Sequence, residues 1–167
     1  MHHIRVQSDP IDLAAEQEPL WQGGPEAGAV VTFVGLMRDL NAGVAVSAMT
    51  LEHYPGMTEK ALETIAAEAA ARWDLEAIRI VHRVGPLTPQ EPIVFVGVAS
   101  RHRGEAFRAC EFLIDSLKTR APFWKQETTA AGARWVEARE TDDAAAQRWG
   151  AAAAGDGTQG AERPTPA

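Results

Sequence analysis

Ile93-Val94-Phe95-Val96-Gly97-Val98-Ala99, followed at once by Ser100-Arg101-His102-Arg103-Gly104, is the stretch on which the fold turns. The first seven residues are apolar and rich in β-branched side chains. A run that short and that uniformly apolar reads as a strand covered on both faces, central to its sheet. The next five form a basic turn. From Gly104 to Thr119 the spacing changes to that of a helix, with Phe107, Cys110, Leu113, Ile114 and Leu117 expected along its buried stripe. Pro122 stops that helix, because its ring displaces a helical hydrogen bond.

Upstream, Ile78–Val84 reads as another strand, though its alternation slips at Ile80 and Val81. Gly85-Pro86 closes it. Thr58 is expected to cap a helix that runs to about Trp73. Its stripe is Ala61, Leu62, Ile65, Ala66 and Ala69. Ala29–Val34 reads as a buried strand ended by Gly35, and Val46–His53 as a further strand. Between them Leu36–Gly43 reads as a loop. At the N-terminus Ile4–Val6 reads as a short strand. Asp9-Pro10 is expected to cap a helix reaching about Glu18, and Trp21–Pro25 is a turn.

Downstream, Arg134–Arg139 reads as a strand, and a last helix starts near Thr141 and ends near Trp149. Strands and helices therefore mix along the chain, which predicts an α+β fold with helices on a mainly antiparallel or mixed sheet. One domain spans 1–149. Residues 150–167, mostly Ala, Gly, Thr, Pro and Gln, are expected to be a disordered tail.

Composition narrows the function. The chain has 167 residues, 46% hydrophobic and 23% charged, enough to bury roughly 70% of its unfolded surface without staples. One cysteine, Cys110, rules out an internal disulfide and any multi-cysteine metal site. No apolar run is long enough for a membrane span, and Met1–Val6 lacks a signal-peptide core, so a cytoplasmic protein is expected. Net charge is −7, unsuited to nucleic acid. Yet Ser100–Lys125 carries six basic residues against three acidic ones, a local +3, leaving −10 elsewhere. That island points to a small anionic ligand rather than a polyanion.

Three places could carry chemistry. Ser100–Gly104 opens a helix, whose free N–H groups and dipole favour phosphate; otherwise it is a solvated basic turn. In Lys118-Thr119-Arg120-Ala121-Pro122-Phe123-Trp124-Lys125, two lysines lie beside aromatic rings and other cations. Such lysines can serve as nucleophile, acid, base or electrostatic anchor, or simply finish a helix. Arg38 sits on a loop just past a strand, a common place for function and for mere solubility. His53 has no second ligand at metal spacing, and His82, mid-strand, reads as structural. The residues alone admit an enzyme, a module binding a phosphorylated metabolite, or a docking protein.

Those segments also carry a resemblance. Val31-Thr32-Phe33-Val34-Gly35 with Arg38, Leu51-Glu52-His53-Tyr54-Pro55-Gly56-Met57, Val94–Ser100 with His102-Arg103, Leu117–Lys125, and Trp135-Val136-Glu137-Ala138-Arg139 resemble the catalytic large-subunit family of molybdopterin synthase. The resemblance runs from Ile4 to Trp149. It implies an α/β hammerhead-like fold with an additional antiparallel β-sheet. It implies a sulfurtransferase of molybdenum cofactor biosynthesis, a homodimer within a heterotetramer. The implied partner is a small ubiquitin-like sulfur carrier with a C-terminal Gly-Gly thiocarboxylate. The implied substrate is cyclic pyranopterin monophosphate, which gains two sulfurs. No metal or redox cofactor is implied, because the sulfur arrives already on the carrier. Carried over residue by residue, Lys118 and Lys125 become catalytic and Arg38, His102 and Arg103 bind substrate. Met37, Gln126 and Glu127 adjoin them and are expected to line the pocket.

Overall fold

The computed structural model describes residues 1–22, 24–136 and 140–151. Gly23 of the expected turn, Glu137–Arg139 of the expected last strand and the tail from 152 onward lie outside the described residues.

Four strands form the first sheet, in the order β1 (His2–Gln7), β6 (Leu75–Arg83), β8 (Pro92–Ser100), β2 (Ala29–Leu36). β1 runs parallel to β6, and the other pairs are antiparallel. The quoted run Ile93–Ala99 is thus an inner strand. Its two faces separate with period two. Val94, Val96 and Val98 pack against α2 (Met57–Arg72) and α3 (Arg103–Arg120). Phe95 and Ala99 pack, with Leu20 of α1 (Leu13–Gln22), on the other side. Burying a side chain such as Phe95 stabilises the fold by about 2–3 kcal/mol. The slipped alternation of Ile78–Val84 has the same origin: helices cover both faces, so Ile78, Ile80 and Val81 are all buried, while His82 is buried under Phe123 and Arg83 beside Glu91.

A second, wholly antiparallel sheet has the order β10 (Gly132–Val136), β9 (Phe123–Thr129), β5 (Ala48–His53), β7 (Gly85–Leu87). The expected α+β class with an added antiparallel sheet is what the chain forms. Gly85, at φ +83°, lets the chain leave β6 and enter β7 within two residues. Gly85-Pro86 therefore begins a strand as well as ending one. Met37, Val46, Met49, Leu51 and Leu87 form the small core of this half. A two-stranded hairpin, β3 (Leu40–Asn41) with β4 (Val44–Ala45), turns at Ala42 and Gly43, both at positive φ. It occupies the segment read as loop.

Several boundaries differ from expectation. α1 starts at Leu13, and the Asp12 carboxylate accepts from the Ala15 N–H at 3.1 Å, so Asp12 rather than Asp9 is the cap. α2 is entered through Gly56, whose N–H donates to Glu59 at 2.7 Å. Thr58 lies inside the first turn and is fully buried. Its Oγ1 accepts from the Tyr54 N–H and donates to the Pro122 carbonyl, tying that turn to the end of α3. β2 is an edge strand and only half buried. β9 was absent from the sequence reading. Phe107 is 61% exposed, because the buried stripe of α3 runs through Ala106, Ala109, Cys110, Leu113 and Leu117. α4 (Glu140–Ala151) packs on α3, where Trp149 meets Trp73 and Phe112 edge to face. It runs to Ala151, past the helix end expected near Trp149.

Candidate active site

Where the end of α3 meets the second sheet, the chain encloses a cavity of about 680 Å³. Pro122 terminates α3 and turns the chain into β9, so Lys118 on the helix and Lys125 on the strand face the same space. Arg38, from the loop after β2, lines it too. Phe33, Leu36 and Ile114 supply apolar wall. The cavity therefore pairs cationic groups with apolar wall, as a site for an anionic ligand with an apolar body requires.

Below Lys125 lies Glu127, only 3% exposed. Its carboxylate accepts from Asn41 Nδ2 at 2.8 and 3.0 Å and from Arg134 Nη2 at 3.2 Å. The Lys125 ammonium lies 3.6 Å away. Burial works to raise the Glu127 pKa, but Asn41, Arg134 and Lys125 together hold it below the ordinary carboxylate value. Glu127 thus lines the cavity as a buried anion already engaged by its neighbours.

His82 also lines the cavity. It stacks on Phe123 with ring centroids 3.8 Å apart, and its Nδ1 lies 2.8 Å from the Arg83 carbonyl. Burial lowers its pKa to about 4, so it is neutral at pH 7, and Nδ1–H is then the donor to that carbonyl. Its structural reading holds, with a place at the site added.

Not all expected residues meet here. Met37 borders the cavity but is 1% exposed and belongs to the core of the second sheet. Its contribution is wall, not a free contact. Gln126 points away, since successive residues of β9 alternate between faces and Lys125 and Glu127 take the inner one.

His102 and Arg103 lie at the opposite end of α3. With Gly28, Arg101 and Gly104 they border a separate depression of about 410 Å³. Sixteen residues of helix separate His102 from Lys118, about 24 Å at 1.5 Å per residue. The two clusters do not converge within one chain. Arg101 is engaged by Glu26, Asp74 and Glu76, so the other permanent cation of this turn is Arg103. Gly28 is required there: a Cβ would lie 2.5 Å from the Arg101 carbonyl oxygen.

Other candidates are accounted for. His53 lies 3.6 Å from Glu59, and among the described residues no three His, Cys, Asp or Glu side chains gather as a metal site. Cys110 is buried, with its thiol pKa pushed up to about 12 by burial, and is therefore unreactive.

The family model for MoaE protein matches residues 6–120. The chain belongs to the MoaE family. A molybdopterin synthase catalytic subunit of Ralstonia nicotianae is 59% identical over 150 residues, covering 90% of this chain and 85% of that one. Its counterpart in Pseudomonas aeruginosa is 60% identical, covering 87% and 97%. A solved structure of the molybdopterin biosynthesis MoaE protein from Burkholderia ambifaria is 58% identical, with a TM-score of 0.78 over 90% of this chain and 99% of that one. The MoaE match takes in Arg38, His102, Arg103 and Lys118, whereas Lys125 and Glu127 lie beyond its end. Among the described residues no helix is long and apolar enough to cross a membrane.

Sequence reasoning missed Asn41 and Arg134. Each earns its place through Glu127, and Asn41 is 86 positions away from it in the chain. No local pattern announces such a contact.

Proposed function

We propose that this chain is the catalytic subunit of a molybdopterin synthase, transferring two sulfurs to cyclic pyranopterin monophosphate. The sulfurs come from the C-terminal Gly-Gly thiocarboxylate of a small ubiquitin-like partner. The observation that carries the proposal is the opening of Lys118, Lys125 and Arg38 onto one partly apolar cavity. The thiocarboxylate sulfur attacks a carbon of the pterin side chain, forming a carbon–sulfur bond as that carbon's bond to oxygen breaks and the oxygen leaves with a proton. Water then cleaves the resulting thioester and frees the tail as a carboxylate. Lys118 and Lys125 stabilise the anions that develop on the thiocarboxylate carbonyl and on the departing oxygen, and one of them delivers a proton.

Arg38 holds the anionic end of the pterin from the same chain. His102 and Arg103 act on the phosphate from a second copy, because α3 keeps them far from their own lysines. The working unit is then a homodimer, and the family resemblance adds one small subunit at each outer end, a heterotetramer. We place it in the cytoplasm, in keeping with a chain whose one cysteine can form no internal disulfide.

The test is direct. Purified chain and precursor, mixed with and without thiocarboxylated partner, should yield the dithiolene only with it. Lys118→Ala and Lys125→Ala should each lose roughly 10²- to 10⁴-fold in rate. Normal dithiolene formation by either variant would remove that lysine from the chemistry.

A further inference from the structure

The geometry points to Asn41 as a positioning residue: its bond to Glu127 fastens the Arg38 loop over the cavity and so sets the spacing between Arg38 and Lys125. This inference rests on the reading of Lys125 as catalytic.

The segment from Met37 to Val46 is anchored at its two ends. Met37 exchanges backbone hydrogen bonds with Gln90 and Glu91, at 2.9 Å each. Val46 N–H donates to the Asp39 carbonyl at 2.8 Å, and Ser47 N–H to Thr128 at 3.0 Å. Between these anchors stands a hairpin of two residue pairs. Its apolar side chains hold it weakly, since Leu40 is 54% and Val44 40% exposed. A hairpin this short does not stand by itself.

Asn41 supplies the missing tie. Its amide donates to both oxygens of a buried, charged carboxylate, and hydrogen bonds to charged groups are the stronger kind. The same carboxylate faces Lys125 and Arg134. One buried anion therefore joins the loop bearing Arg38 to the strand bearing Lys125. An uncharged donor suits the position. A third cation would overload Glu127, and an acid would repel it.

The experiment uses the assembled synthase with precursor and thiocarboxylated small subunit. Asn41→Ala should lower kcat/KM about 10-fold. Trypsin should cut after Arg38 several-fold faster than in the parent, as expected for a loosened loop. Asn41→Asp gives a signature that lost packing alone would not. Its new carboxylate repels Glu127 unless the two share a proton, so activity should recover towards the parent's as pH falls. Parent-like turnover by Asn41→Ala, alongside an inactive Lys125→Ala, overturns the tie and leaves the catalytic reading intact. Parent-like turnover by Lys125→Ala overturns the reading beneath it. Slow turnover by Asn41→Ala with unchanged cleavage at Arg38, or an Asn41→Asp profile parallel to the parent's, also overturns the tie.

Discussion

His82 shows how one buried side chain links the cavity to stability. Held neutral by burial, it binds its proton near pH 4, whereas in the unfolded chain it does so near 6.5. Between those values the unfolded state carries the extra proton, so stability falls as pH drops through the window and is whole above it. The full difference is on the order of 3 kcal/mol. Urea midpoints measured from pH 7 down to pH 4.5 should therefore decline with a slope near one proton, and His82→Gln should flatten that slope. An unchanged slope would show that other groups set the acid limit. The stacked Phe123 begins the strand that carries Lys125, so acid unfolding should start beside the site.

Elements answer to tighter geometric limits. Gly28 lets the chain entering β2 pass against the turn before α3, its N–H donating to Ser100 at 3.0 Å. Gly28→Ala would press a methyl group onto the Arg101 carbonyl, at a cost of about 1–3 kcal/mol. It should also move His102 and Arg103. A lower urea midpoint together with weaker precursor binding is the expected pair of results. Loss of stability with unchanged binding would detach that turn from the substrate.

The ease of reading each element follows from what it packs against. β8 and α3 were legible because uniform apolar residues and 3/4 spacing both report burial. β9 was not, because Lys125 and Glu127 face inward, reversing the usual rule that charge marks solvent. Phe107 misled because size suggested burial, whereas small Ala106 and Ala109 permit the close approach of α3 to its neighbours. Of the site, the lysines were visible as part of a cationic island, Arg38 as a loop residue just past a strand, and all three as a family pattern. Asn41 was invisible because its meaning lies in a carboxylate 86 residues away, and Arg134 because its partner sits on β9, a strand the sequence does not announce.

At the scale of the molecule, the two cationic clusters imply a site shared between copies. Lys125→Ala and Arg103→Ala should each be inactive as pure dimers. When the two are mixed and allowed to exchange, each mixed dimer holds one site with both defects and one with none. Random pairing makes half the dimers mixed, so about a quarter of the parent activity should return. No recovery, with exchange verified by mass, would mean that each chain works by itself.

The stiffness of α3 has a practical outcome. A rod of fixed length cannot fold back to bring its two ends together, so on the proposed shared site a solitary copy would hold half of two centres and the whole of none. Output per molecule then depends on crowding: progressive dilution should silence the preparation while every copy stays folded, and reconcentration should revive it.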